Sequence, residues 1–269
     1  MPKTGPAGFY VLGFVCNLLF GAWNLFTHTH LHKIRYDSSM SQQHIWEREY
    51  RDQKLMTNKA EPQQDTKKFF KWVRTQYPHA CAPGAFLVDI GCGTGRNTHF
   101  AQSVYDMRAH GFDIARNAID LARARAFAEG LDIQYRVHSM AEPFPYPDAC
   151  CDIALDVTSS NSLYADERAV YMHELCRILK PGGVLFVKGL CLDGDTNAKQ
   201  LLKKFPASEP GMYTMPETSI TEKVWRLDEF RAYYEPFFDI HILEKKTNYS
   251  KMNNRSYKRN FLIAYMTKK

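Results

Sequence analysis

The order of apolar and polar positions divides the chain into three stretches. Residues 7–26, AGFYVLGFVCNLLFGAWNLF, carry no charge over 20 positions, about the length that spans a bilayer as a helix. This makes 1–36 an apolar N-terminal segment with a candidate membrane span at 7–26. Residues 37–82 are polar and helical in pattern, a predicted helical cap. Phe69, Phe70 and Val73 recur there at the spacing of one helix face, and Pro78, Pro83 and Gly84 end the repeat. From 83 to 269 short apolar runs alternate with helix-periodic ones. Runs at 86–90, 108–113, 133–137, 153–157 and 184–188 predict strands; 97–105, 116–129 and 167–179 predict helices, the last stopped by KPGG. Such alternation predicts an α/β fold with a mainly parallel sheet and helices on both faces. Two final strands, 238–243 and 261–266, are joined by EKKTNYSKMNNRSYKRN, too short and polar for a packed crossover helix. The last strand is therefore expected to return antiparallel.

The first predicted strand ends in the stretch FLVDIGCGTGRNT, where Gly91, Gly93 and Gly95 alternate. Glycine tolerates left-handed backbone and close approach by a neighbour, and a strand-to-helix turn of this kind is where open α/β sheets bind ligands. Arg96 follows where a dinucleotide-binding turn would carry its last glycine region, which weakens a pyrophosphate reading. Asp113 lies 18 residues beyond Gly95, at the end of the second predicted strand. A carboxylate there can accept both hydroxyls of a ribose. Together the two features point to a nucleoside ligand.

Charge and cysteine usage refine the picture. The net charge of +6 is uneven, with eight basic and no acidic residues from Lys245 onward, so the C-terminal end is electropositive. The seven cysteines include no CxxC pair, a pattern that suits reduced thiols in a cytosolic catalytic domain. His28, His30 and His32 alternate beside the apolar segment; solvated histidines explain them without a metal.

VDIGCGTG, GFDIA, AEPFPYPDACCDIAL and LCRILKPGGVLFV, taken in order, resemble the successive motifs of class I S-adenosylmethionine-dependent methyltransferases, in the group of small-molecule enzymes with a methyltransferase type 11-like domain. The resemblance covers about residues 85–190 strongly. It implies a Rossmann-like fold with a seven-stranded sheet and S-adenosyl-L-methionine as cofactor. Carried over by position, Gly91, Gly93 and Gly95 would pass beneath the methionine part, Asp89 would orient its ammonium, and Asp113 would hold the ribose. Ile114 would pack on the adenine, and the backbone of Met140 and Ala141 would read its edge; Met140 stands where many relatives carry an aspartate.

Methyl transfer from a sulfonium needs alignment and exclusion of water more than it needs a metal. Asp156 is the candidate base, with Thr158, Ser159 and Asn161 as polar positioning groups; the alternative for Asp156 is a turn former bound to neighbouring amides. Trp46 and Tyr50 lie four apart on one helix face, placed either to cap the cofactor or to dock the helix. Tyr257 is a further acceptor-site candidate, and Arg255 or Arg259 is expected to grip an anionic acceptor by a forked hydrogen bond. The leading expectation is methyl transfer to a small, anionic acceptor. Transfer to RNA and a non-catalytic, membrane-attached cofactor-binding module are the alternatives.

Overall fold

The computed structural model describes residues 31–52, 61–252 and 255–269. The 7–26 segment lies outside these, as do His28 and His30. Among the described residues no helix is long and apolar enough to cross a membrane. Contacts divide the chain into residues 1–43 and 44–269, and the architecture described is that of the second unit.

The elements run α1 (Leu31–Asp52), α2 (Gln64–Gln76), β1 (Phe86–Ile90), α3 (Arg96–Tyr105), β2 (Arg108–Asp113), α4 (Arg116–Ala128), β3 (Gln134–Val137), β4 (Cys151–Val157), α5 (Ala165–Ile178) and β5 (Leu179–Leu190). They continue through α6 (Thr196–Lys204), β6 (Met212–Thr214), β7 (Thr221–Lys223), α7 (Leu227–Tyr234), β8 (Phe238–Met252) and β9 (Arg255–Lys268). Seven strands form one sheet in the order β3-β2-β1-β4-β5-β9-β8, and β6 pairs with β7 separately. β1 to β5 are parallel; β9 runs antiparallel to both β5 and β8.

Every residue of β1 is buried, as expected of a parallel strand covered on both faces. Leu87, Leu155 and Phe186 pack on one side with Phe69, Phe70 and Val73 of α2. Phe69 stacks on Phe186 with ring centroids 4.9 Å apart, so α2 is a layer of the sandwich. Val88, Ile90, Leu185 and Val187 pack on the opposite side with Tyr171 and Leu175 of α5 and Phe230 of α7.

The polar connection expected between the last two strands is itself strand. β8 and β9 stay paired to Met252↔Arg255, whereas β9 pairs with β5 only as far as Leu190↔Phe261. A direct antiparallel return satisfies backbone groups by mutual pairing, with no apolar face required. The outer part is thus a two-stranded ribbon beyond the sheet.

Candidate cofactor and active site

The site is built where β1 and β2 end. Gly91, Gly93 and Gly95 all have left-handed backbone, with φ of 66°, 55° and 78°. The turn is tied down by Cys92 N–H donating to Phe112 O at 2.9 Å and Gly95 N–H donating to Cys92 O at 3.0 Å. A side chain at Gly91 would overlap Ser159 and Met140, and one at Gly95 would overlap Tyr135. At those two positions the protein's own packing demands glycine. At Gly93 an added Cβ would stand 2.6 Å from the Tyr50 hydroxyl, which comes from α1.

Asp113 closes on this turn. Its Oδ2 accepts from Gly93 N–H and its Oδ1 from Ala115 N–H, both at 2.9 Å. Burial pushes its pKa up to about 6, with those two backbone donors pulling against the rise. The side chain of Asp89 is buried on the α3 side and accepts from Thr98 Oγ1 at 2.7 Å. Burial pushes Asp89 up to about 7, opposed mainly by that hydroxyl and by Arg96. Two buried carboxylates thus face the glycine turn in a state that a nearby cation would convert to full charge. Ile114 follows Asp113 and is half-buried. Met140 reaches Gly91; the Ala141 amide is committed to Ser139 Oγ at 3.1 Å.

Helix α1 supplies the cover. Tyr50 is buried against Ala115 and Ala118, with Trp46 packed beside it at 6.3 Å between ring centroids. Glu47, between them in sequence, accepts from Arg116 N–H at 2.6 Å and Asn117 N–H at 3.0 Å. A carboxylate borrowed from another helix therefore caps α4, where orphan amides and the helix dipole favour negative charge. Arg48 donates to Thr218 O at 2.7 Å, so the same helix also meets the segment between β5 and α7. Trp46 and Tyr50 were legible as a helical pair. Glu47 was not, because an acid on a polar helix has no distinguishing pattern, and nothing in the sequence shows that α4 lacks a cap of its own.

At the β4 turn the contacts of Asp156 follow the second of its two expected roles, the turn former bound to neighbouring amides. Asp156 is fully buried. Its Oδ1 accepts from Ser159 N–H and Ser160 N–H at 3.2 Å and from Ser159 Oγ at 2.5 Å, while Oδ2 accepts from Tyr171 Oη at 2.6 Å. A carboxylate with four donors and no exposure is a turn former, not an accessible base. It supports Thr158, a β-branched residue with a φ of 63°, a conformation that costs free energy and persists only where surroundings enforce it. Asn161 is buried; its Oδ1 accepts from Leu190 N–H at 3.3 Å, and its Nδ2 has no hydrogen-bond partner among the described residues.

Of the two arginines expected to grip an anion, Arg259 is already engaged. Arg259 is buried, paired with Glu222 at 2.9 Å and bonded to Tyr213 Oη, so its charge is already neutralised. Arg255 pairs in register with Met252 and Tyr257 with Ser250. Both lie beyond the last β5 pair, Arg255 six residues past Phe261, about 20 Å along an extended strand.

Residues 87–183 match the family model described as "Methyltransferase domain". O-methyltransferase resE of Aspergillus sclerotiorum is 25% identical over 146 residues, covering 54% of this chain and 53% of that protein. Methyltransferase GfsG of Streptomyces halstedii is 28% identical over 112 residues, covering 41% and 40%. The chain spans about half the length of the curated relatives it matches. Among solved structures, the Burkholderia thailandensis 1,6-didemethyltoxoflavin-N1-methyltransferase with bound S-adenosylhomocysteine superposes with a TM-score of 0.62 at 15% identity, covering 87% of this chain and 89% of that one. A SAM-dependent methyltransferase from Methanosarcina mazei gives 0.58 at 22% identity, covering 72% and 97%. The fold is that of class I methyltransferases, as the motifs imply.

Proposed function

We propose, for a chain that carries a class I S-adenosylmethionine-dependent methyltransferase domain, that it transfers a methyl group from S-adenosylmethionine to an oxygen of a small-molecule acceptor. The observation that carries this reading is the Asp113–Gly93 bond: an acid suited to a ribose and a side-chain-free turn meet at the carboxyl ends of adjacent parallel strands. When bound, the cofactor supplies a methyl on a sulfonium, and the acceptor's lone pair forms the new O–C bond as the C–S pair returns to a neutral thioether.

This chain's residues would bind and orient. Gly93 borders the ligand, with Gly91 and Gly95 holding the turn in shape beneath its methionine part, Asp113 takes the ribose hydroxyls, and Asp89 balances the ammonium. Ile114, Met140 and the Ala141 segment border the adenine side, and Tyr50 with Trp46 keeps water from the turn. With Asp156 committed to four donors, the acceptor oxygen is one acidic enough to lose its own proton. An oxygen acceptor is also what several relatives' names state, among them O-methyltransferase resE and O-methyltransferase cnsE of Penicillium expansum. The fork at Arg259 is not carried into this reading, because Glu222 holds it.

Calorimetry with S-adenosylhomocysteine is expected to give saturable binding, and purified protein is expected to move label from methyl-labelled cofactor into small acidic phenols or enols. Absence of binding would end the reading. We also propose attachment to a membrane through 7–26, resting on that segment's uncharged length. The full chain is then expected to stay with the membrane pellet after alkaline carbonate extraction, and release into the supernatant would refute attachment.

A further inference from the structure

Arg96 opens α3, directly after the glycine turn. Among the described residues its guanidinium makes no hydrogen bond and no ion pair, whereas Thr98, Lys188 and Arg125 nearby each have partners. Thr98 is spent on Asp89, Lys188 on Gln63 at 2.5 Å and Asp65 at 2.9 Å, and Arg125 donates to Thr94 O at 3.2 Å. Across the turn the Tyr50 hydroxyl, on a side chain that is 8% exposed, donates to none of the described residues and stands 2.6 Å from the Cβ position of Gly93. Two unspent donor groups therefore flank the turn, one on the sandwich and one on α1.

Burial is unfavourable for an uncompensated guanidinium. It lowers the Arg96 pKa, with Tyr50 and Asp89 pulling the other way, and it raises that of Tyr50. A planar anion with two oxygens satisfies both groups at once, one oxygen on the fork and one on the hydroxyl. A neutral or cationic group would leave the guanidinium unpaired.

We propose that Arg96 and Tyr50 form a clamp for the α-carboxylate at the amino-acid end of the cofactor, and that this carboxylate thereby ties α1 to the glycine turn. The inference rests on the cofactor reading given above and deepens it, since it makes the seating of α1 depend on one end of the ligand. Glu47 holds α1 to α4 on the ribose side of the turn; the carboxylate supplies the second fastening through Tyr50. A nucleoside lacking the amino-acid end leaves that fastening unmade.

The test compares S-adenosylhomocysteine with 5′-methylthioadenosine, the same nucleoside thioether without amino or carboxyl groups, by calorimetry on the full chain, with the Trp46 share of the emission, taken as the difference from Trp46→Phe, as the report on α1. Arg96→Ala is expected to weaken S-adenosylhomocysteine by about tenfold to a hundredfold, the range for a charged hydrogen bond, and to leave 5′-methylthioadenosine within about twofold. Tyr50→Phe is expected to weaken the former severalfold with the same selectivity, and Trp46 emission is expected to respond to S-adenosylhomocysteine only. Retained 5′-methylthioadenosine binding also certifies that each variant is folded. Equal losses for both ligands, or none for either, would overturn the clamp while leaving the cofactor reading intact. Failure of the unaltered protein to bind S-adenosylhomocysteine would overturn both.

Discussion

Asp156 and Asp113 are both buried acids at strand ends, yet their surroundings assign them different work. Asp156 has four donors within the protein, so replacing it by Asn turns one acceptor into a donor facing another donor. The cost is about 2–3 kcal/mol, or a Tm lower by roughly 5–10 °C for a domain of this size. A base would instead show lost turnover with stability kept. Asp113 has two backbone donors and, like Asp89, is held above the usual carboxylate range by burial. Because both folded values are raised, the apo protein is expected to lose stability as pH climbs from about 4 through 6 and 7, where ionisation in the folded state becomes costly. Cofactor binding should run the other way. The ligand's ammonium favours the ionised acids, so affinity for S-adenosylhomocysteine is expected to rise between pH 5.5 and 7.5 and then level off, as calorimetry across about that range would record. Flat affinity would place the ammonium away from Asp89. Gly93→Ala combines a left-handed φ with a clash at Tyr50 and is expected to abolish cofactor binding.

At the scale of elements, α1 matters because of what it fastens. Glu47→Ala removes a carboxylate from two helix-end amides, a loss of about 1–2 kcal/mol. Weaker S-adenosylhomocysteine binding with faster release is the expected result, read by stopped-flow tryptophan emission; unchanged release would detach α1 from the site. How far such elements were legible in the sequence depends on where their information lies. β1 is legible to the residue because its apolar run ends abruptly at the glycine turn, and β2 because Asp113 closes it 18 residues beyond Gly95. β5 was read short, since KPGG at 180–183 looks like pure loop, whereas the strand starts at Leu179 and pairs with Cys151 before a register shift to Val184↔Ile153. The outer ribbon reads as loop in the sequence because strand recognition leans on apolar alternation, and the stretch between Lys245 and Asn260 is mostly polar. Within the site, the glycines and Asp113 announced themselves through residue type and spacing. The choice between the two roles of Asp156 is not legible in the sequence, because it is decided by a partner 15 positions away, the Tyr171 hydroxyl, that only the fold brings to it.

Across the whole molecule, polar ties distribute rigidity unevenly. The segment between β5 and α7 is tied down by ion pairs whose basic partners are buried: Arg168 with Glu209 at 2.8 Å, Arg259 with Glu222 at 2.9 Å and Lys223 with Glu229 at 2.6 Å. On the other side of the sheet, Asp65 at the start of α2 joins Lys188 of β5 to Lys246 of β8. Breaking a buried pair strands a charge, at about 3–5 kcal/mol, so these ties fix the frame around the cofactor turn. The ribbon outside Phe261 shares no sheet partner with that frame except at Cys191, whose N–H donates to Asn260 O at 3.0 Å. It follows that the ribbon can be shortened without loss. Tyr249 pairs with Lys258, so replacing residues 250–257 by Asn-Gly closes the hairpin with a two-residue turn suited to strand twist. The shortened chain keeps Lys246, Arg259 and Asn260. It is expected to melt within about 2 °C of the full chain, since the ion pairs named above all lie outside the removed residues, to bind S-adenosylhomocysteine equally, and to retain acceptor KM. A raised KM with unchanged cofactor affinity would place Arg255 and Tyr257 at the acceptor site, because the ribbon leaves the sheet at the carboxyl end of β5, the same edge at which β1 gives way to the glycine turn.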